Sequence, residues 1–245
     1  MFIRRPPHVI ILGCGRSGTS IFGEFFEQLG SYTYYSEPPF RDLLSYDYTS
    51  PVAVKVPHES SDFPPTPGLS FPLEVLLKTV PNPRRIYWQV RHPLDTVCSL
   101  RVGIANNWGH HPRPTDWRQW LARPLLEQCA HHWNYINSVG FAQIANQAVV
   151  TRFERMIADP LSFARYISQS VGIDPALHHT SLAAWAQRVQ DTNNSQFVEA
   201  KTSREYSRSD HSIRVGRWKE NLSESEVVQI KPIIQATARR MSYSI

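Results

Sequence analysis

Short apolar runs alternate with amphipathic stretches along most of the chain. Residues 8–12 (HVIIL) form a β-branched run closed by glycine, the pattern of a strand buried on both faces. Over residues 19–29, Ile21, Phe22, Phe25, Phe26 and Leu29 recur at helical spacing, so a helix starts directly after a glycine-rich turn. A short extended stretch at 31–35 follows it. Further strands are expected at 51–56 (PVAVKV), 85–90 (RIYWQV) and 147–151 (QAVVT). Helices are expected at 71–80, at 93–104 with proline in the first turn, and at 160–171. Residues 117–139 read as a long helix pair burying Trp120, Leu121, Leu125, Trp133 and Ile136, and Ser223-x-x-Glu226 is a capping box that opens a C-terminal helix. The proline-rich 62–72 and the polar 191–212 read as surface loops. Strands alternating with helices predict one α/β domain over 1–245, a three-layer sandwich around a parallel sheet of about four or five strands. In such a sheet the ligand site lies at the C-terminal ends of the strands.

Composition narrows the function classes. With 245 residues, 41% apolar and 19% charged, the chain can bury a sizeable core and is not a disordered segment. The net charge of +5 suits an anionic ligand, but no dense Lys/Arg run or basic helix is present, so nucleic acid is not the expected partner. Three cysteines, Cys14, Cys98 and Cys129, have no paired spacing and fit reduced thiols in a cytoplasmic protein. No stretch reaches the roughly 18 apolar residues of a membrane span, and the N-terminal apolar run is too short for a signal peptide.

The candidate chemistry begins at Gly13-Cys14-Gly15-Arg16-Ser17-Gly18-Thr19-Ser20, between the first strand and the first helix. Glycines there let the backbone wrap an anion, and the free N–H groups of the first helical turn point at it. Gly13-x-x-x-x-Gly18 matches the start of a nucleoside-triphosphate loop, yet Thr19 stands where that pattern requires lysine. The loop could instead hold a 5′-phosphosulfate, which carries less charge and needs no magnesium, with Arg16 supplying the fixed positive charge.

These residues resemble the sulfotransferase family that uses 3′-phosphoadenosine 5′-phosphosulfate (PAPS), whose loop reads close to GxxRSGTS. Three further segments follow in the family's order: Val90-Arg91-His92-Pro93-Leu94-Asp95-Thr96-Val97-Cys98-Ser99, then Thr151-Arg152-Phe153-Glu154 with Asp159-Pro160, then Val215-Gly216-Arg217-Trp218-Lys219. The resemblance implies a P-loop-like fold and transfer of a sulfonate from PAPS to a small-molecule or carbohydrate-like acceptor, releasing the product nucleotide PAP. It also implies that Gly15, Arg16, Ser17, Gly18, Thr19 and Ser20 hold the 5′-phosphosulfate, and that Arg91 and Ser99 hold the 3′-phosphate. Gly216, Arg217 and Trp218 would fold over the adenine and 3′-phosphate, Trp218 either as an apolar cover or as a core residue.

Two residues compete for the role of base: Glu37, in Ser36-Glu37-Pro38, and His58, which follows Lys55 by three positions. Glu37 is the preferred base, with His58 as runner-up or substrate contact. Lys55 interrupts an apolar strand and is expected to reach an anion at the strand's end, where it would steady the bridging oxygen with Arg16. The pairs His110-His111 and His131-His132 lack matching Cys or carboxylate spacing, so no metal is expected. Tyr32, Tyr34, Tyr35, Phe40, Tyr46 and Tyr48 flank Glu37 and either line an acceptor pocket or pack locally. The rival readings are a P-loop kinase or nucleotide hydrolase, and a non-catalytic PAP-binding module.

Overall fold

In the computed structural model, which describes residues 5–57, 62–191 and 215–245, strand β1 (His8–Gly13) runs through the middle of the sheet. It is flanked by β3 (Val52–Lys55) and β4 (Arg84–Val90), with β2 (Thr33–Ser36) and β5 (Ala148–Arg152) outside them in the order β2-β3-β1-β4-β5. Every pairing is parallel, and the register sets Ile10 beside both Val54 and Ile86. Because side chains alternate along a strand, β1 feeds two cores. Ile10 and Leu12 join Ile86, Trp88 and Val90 on one face, while Val9, Ile11 and Tyr87 pack on the other.

The first face is covered by α3 (Leu73–Thr79), α4 (Pro93–Ala105), α6 (Leu125–Tyr135) and α11 (Glu224–Arg240). The opposite face is covered by α1 (Thr19–Leu29), α7 (Phe153–Ala158), α8 (Pro160–Ser170) and α9 (His179–Asp191). Three one-turn helices complete the described chain: α2 (Phe40–Leu43), α5 (Trp117–Trp120) and α10 (Trp218–Asn221). The capping box forms: Ser223 accepts from the Glu226 N–H and Glu226 accepts from the Ser223 N–H. Asp159 caps α8 in the same way through the Ser162 N–H.

Two expectations need correction. The stretch 117–139 is not a continuous helix pair: α5 ends at Trp120, Pro124 caps α6, and a π-helical turn (Ile136–Gly140) follows. Proline disfavours helical backbone in the residue before it, so the chain breaks there, and Leu121 is exposed rather than buried. In addition α9, unforeseen from the sequence, packs Leu182, Trp185, Ala186 and Val189 into the α1 and α8 side of the core. Of the loop expected at 191–212, nearly all lies outside the described residues, as does His58.

The crossover from β3 to β4 passes over β1, so the chain leaves β1 on opposite sides and opens a crevice at its C-terminal end. Five strand ends meet this rim: the glycine loop after Gly13, Glu37 after β2, Lys55 closing β3, Arg91 after β4 and Phe153 after β5.

Phe22, fully buried, holds α1 to the sheet through ring contacts with Tyr87 at 5.2 Å and Phe163 at 5.3 Å. Phe22→Ala should cost about 3–5 kcal/mol of stability, measured as a lowered urea midpoint at unchanged slope.

Candidate active site

The loop after β1 is shaped by three backbone conditions. At Gly13, with φ of +151°, a Cβ would stand 2.3 Å from the Gln89 carbonyl oxygen of β4, so only glycine lets the two strands close up. Gly18 (φ +86°) is left-handed, and a side chain there would strike the Phe153 ring at 2.4 Å. Arg16 is left-handed as well, at φ 67°, without glycine's freedom. Between them the Ser17 N–H donates to the Cys14 carbonyl at 3.2 Å, and the Gly18 carbonyl accepts from Phe22 to start α1. The Ser17 hydroxyl is buried with no hydrogen-bond partner among the described residues, as expected of a group that completes its bonding on a ligand. Burial pushes the Cys14 thiol far above its usual range, which disfavours the thiolate a nucleophile needs.

Lys55 is buried at the end of β3, and its Nζ donates to Glu37 Oε1 at 2.5 Å and Ser20 Oγ at 2.9 Å. The Glu37 side chain is about half exposed, 49%, so the pair sits at the mouth of the crevice with its cation inside. Glu37 is left-handed at φ 49° and Val56 at φ 34°. The Glu37 N–H on the Lys55 carbonyl (2.9 Å) and the Val56 N–H on the Ile11 carbonyl (2.9 Å) hold these bends. Strained backbone of this kind gathers at functional sites. Of six non-glycine residues with positive φ in the described chain, three stand at the strand ends that rim this crevice: Arg16, Glu37 and Val56.

A second cluster lies beyond β4. Arg91, Arg217 and Ser99 are all buried, at 4%, 2% and 2% exposure. Arg91 Nη1 donates to Ser99 Oγ at 3.3 Å and to the Arg16 carbonyl at 3.2 Å, and Arg217 Nη1 donates to the same Ser99 Oγ at 3.0 Å. Two guanidinium groups thus share one hydroxyl away from bulk water. Asp95, fully buried, turns both oxygens to backbone, accepting from Gly216 N at 2.8 Å and Trp218 N at 3.0 Å. That carboxylate fixes the 216–218 segment against α4. Trp218 is half-buried, its ring parallel to His92 at 5.9 Å.

The sequence marked Phe153 and Glu154 only as part of a family-like segment, without roles, and gave no role to His110. Phe153 packs against Gly18 and lies under the Arg91 guanidinium at 4.4 Å, joining the two clusters. Glu154 accepts from the His92 N–H at 2.6 Å and from the Tyr243 hydroxyl at 2.8 Å, tying the start of α4 to the chain's last described turn. His110 stands against the loop, close to where a Gly15 Cβ would be. Among the aromatic residues near Glu37, Phe40 and Tyr32 are buried packing residues, whereas Tyr35 and Tyr46 stack at 3.9 Å and stay half-buried.

A family model described as "Sulfotransferase domain" matches residues 6–242, and the chain belongs to that family. No functionally curated protein matches the sequence. Among solved structures it is similar to mouse sulfotransferase SULT7A1 complexed with PAP, at 14% identity over 98% of this chain and 87% of that one, with a TM-score of 0.58. It is also similar to the sulfotransferase domain from the curacin biosynthetic pathway (11% identity, 99% of both chains, TM-score 0.54). A third similar structure is retinol dehydratase in complex with androsterone and PAP (16% identity, 96% and 82% covered, TM-score 0.52). At these identities the likeness establishes the fold. No helix among the described residues is long and apolar enough to cross a membrane.

His110 also makes the site sensitive to acid. Burial, with Arg16 and His111 beside it, lowers its pKa from 6.5 to about 4. Between these values the unfolded chain binds a proton that the folded one refuses, so this contribution to stability is complete above pH 6.5 and lost as pH falls toward 4. His110→Gln should flatten the pH dependence of the urea midpoint over that window.

Proposed function

We propose that the protein transfers a sulfonate group from PAPS to a hydroxyl or amine of a small-molecule or carbohydrate-like acceptor, releasing PAP. The observation that carries this reading is the pair of buried arginines, Arg91 and Arg217, on the single Ser99 hydroxyl. A second anion-seeking cluster stands one loop away at Arg16, Ser17 and Lys55. Arg91 links the two by its bond to the Arg16 carbonyl. Two spaced anion sites suit a nucleotide with phosphate groups on both its 5′ and 3′ sides, and Thr19 in place of a loop lysine disfavours a triphosphate.

In this reading the N–H groups of Gly15, Arg16, Gly18, Thr19 and Ser20 cradle the 5′-phosphosulfate, with the Ser17 hydroxyl as an added donor. Arg91, Ser99 and Arg217 hold the 3′-phosphate, Gly216 permits the turn that carries Arg217 inward, and Trp218 stacked on His92 flanks the adenine. Lys55 exchanges its resting partners Glu37 and Ser20 for the bridging oxygen of the donor. That exchange releases the Glu37 carboxylate to take the acceptor's proton. The acceptor oxygen or nitrogen forms a bond to sulfur while the bond from sulfur to the bridging oxygen breaks, leaving the electron pair on PAP beside Lys55 and Arg16. The three cysteines described, all buried and free, fit a reducing cytoplasm.

PAP should raise the melting temperature more than ADP does, with or without magnesium, because ADP lacks the 3′-phosphate. Arg217→Ala should weaken PAP binding about 10- to 100-fold, as for a lost charge-assisted hydrogen bond, while leaving ADP binding nearly unchanged. Tighter binding of ATP with magnesium than of PAP would overturn the reading.

Glu37→Gln should keep PAP affinity but lower sulfonate transfer in an acceptor screen with labelled PAPS by about 10²–10⁴-fold. Full turnover in that variant would remove Glu37 from the role of base.

A further inference from the structure

The segment between α4 and α5 is held in an unusual shape. Asn107 and Trp108 are consecutive left-handed residues, at φ 50° and 51°, and neither is glycine. That conformation is disfavoured for a bulky residue, yet four bonds fix it. The Trp108 N–H donates to the Ile104 carbonyl at 2.9 Å and the Gly109 N–H to the Gly103 carbonyl at 2.6 Å. The fully buried Trp108 ring donates from Nε1 to His132 Nδ1 at 3.2 Å, and Arg113 Nε donates to the Trp108 carbonyl at 3.0 Å.

The strained turn has one evident product, the placement of the next side chain. His110 is wedged between α4 and the phosphate loop, and both walls lack side chains. A Cβ on Gly103 would lie 2.3 Å from His110 Nε2, and one on Gly15 would lie 3.4 Å from Nδ1. The ring touches the loop one residue before Arg16. The charged and titratable groups that act on it are Arg16 from the loop, Glu37 from the end of β2, His111 next in the chain and His132 of α6. A group in the fields of both Arg16 and Glu37 lies near the reacting end of the crevice. His132 reinforces the placement. Its Nδ1 accepts from Trp108, so its proton is on Nε2, and its ring centroid is 6.0 Å from that of His110. Burial lowers the His132 pKa well below the usual value, so no second cation forms behind His110.

We propose that His110 is a substrate-contacting residue whose imidazole, clamped between Gly103 and Gly15, donates a hydrogen bond to a sulfonate oxygen of the bound donor. The proposal rests on the PAPS reading above. The proton of the acceptor still passes to Glu37 and the bridging bond still leaves its electron pair on PAP, so nothing is transferred through His110. Its contribution is a neutral donor. A third fixed cation beside Arg16 and Lys55 would grip the anionic donor in its ground state, whereas an uncharged N–H orients the sulfonate without adding that grip.

PAPS and PAP differ by the sulfonate alone, so their affinities measured side by side isolate this contact without a known acceptor. By titration calorimetry, His110→Phe, which keeps the ring's shape, should weaken PAPS about tenfold or more, the scale of a lost hydrogen bond to a charged group, and leave PAP unchanged. His110→Gln, which keeps a donor, should restore much of the PAPS affinity. In the wild-type chain with ¹³C-labelled histidine, the His110 ring signal should move on adding PAPS and much less on adding PAP. That spectrum keeps the test open if the phenylalanine variant fails to fold. Equal loss of both nucleotides in His110→Phe, or equal displacement of the His110 signal by both, would overturn the sulfonate contact while leaving the PAPS reading intact. Wild-type protein that binds neither nucleotide would overturn both.

Discussion

Positive charge held out of water at the ends of a parallel sheet governs this molecule. Burying a guanidinium or ammonium costs several kcal/mol unless a partner meets it, and three such groups, Lys55, Arg91 and Arg217, are nearly inaccessible. Their partners among the described residues include a carboxylate and a serine for Lys55, and a shared serine with a loop carbonyl for the arginines. Much of the surrounding structure serves to keep these cations in place, from the Phe153 ring beneath Arg91 to the Asp95 carboxylate that seats the Arg217 segment.

The sheet makes this possible because its strands end together. Parallel pairing in a fixed register delivers Gly13, Ser36, Lys55, Val90 and Arg152 to one rim, so residues far apart in the chain become neighbours without long loops. The two cores are dense with aromatic side chains, and they give the rim a rigid base. Half of the left-handed non-glycine residues in the described chain stand on the rim itself, where Arg16, Glu37 and Val56 turn the chain sharply away from the strands.

The strand–loop–helix unit was legible nearly to the residue, because its apolar run, its glycines and its helical spacing are all local signals. The capping box at Ser223 and the strands at β3, β4 and β5 were legible for the same reason. What escaped was of two kinds. The periodicity of α9 is present in Leu182, Trp185, Ala186 and Val189, and a stricter count would have found it. Other features have no local signature. Nothing in spacing joins Ser99 to Arg217 across 118 positions, or puts Phe153 between Gly18 and Arg91. His110 was set aside because adjacent histidines suggest a metal pair, and a missing pair then suggests nothing. Its meaning came from the two glycines that flank it in space, Gly103 and Gly15, which are 88 positions apart in the chain.

The Asp95 contacts have a kinetic side. A fully buried carboxylate that spends both oxygens on the N–H groups of residues 216 and 218 works as a latch. Swinging that segment away would strand the carboxylate in the interior, a cost that opposes opening. On the PAPS reading the nucleotide lies beneath this segment, and its release should depend on Asp95, a residue outside the proposed contacts.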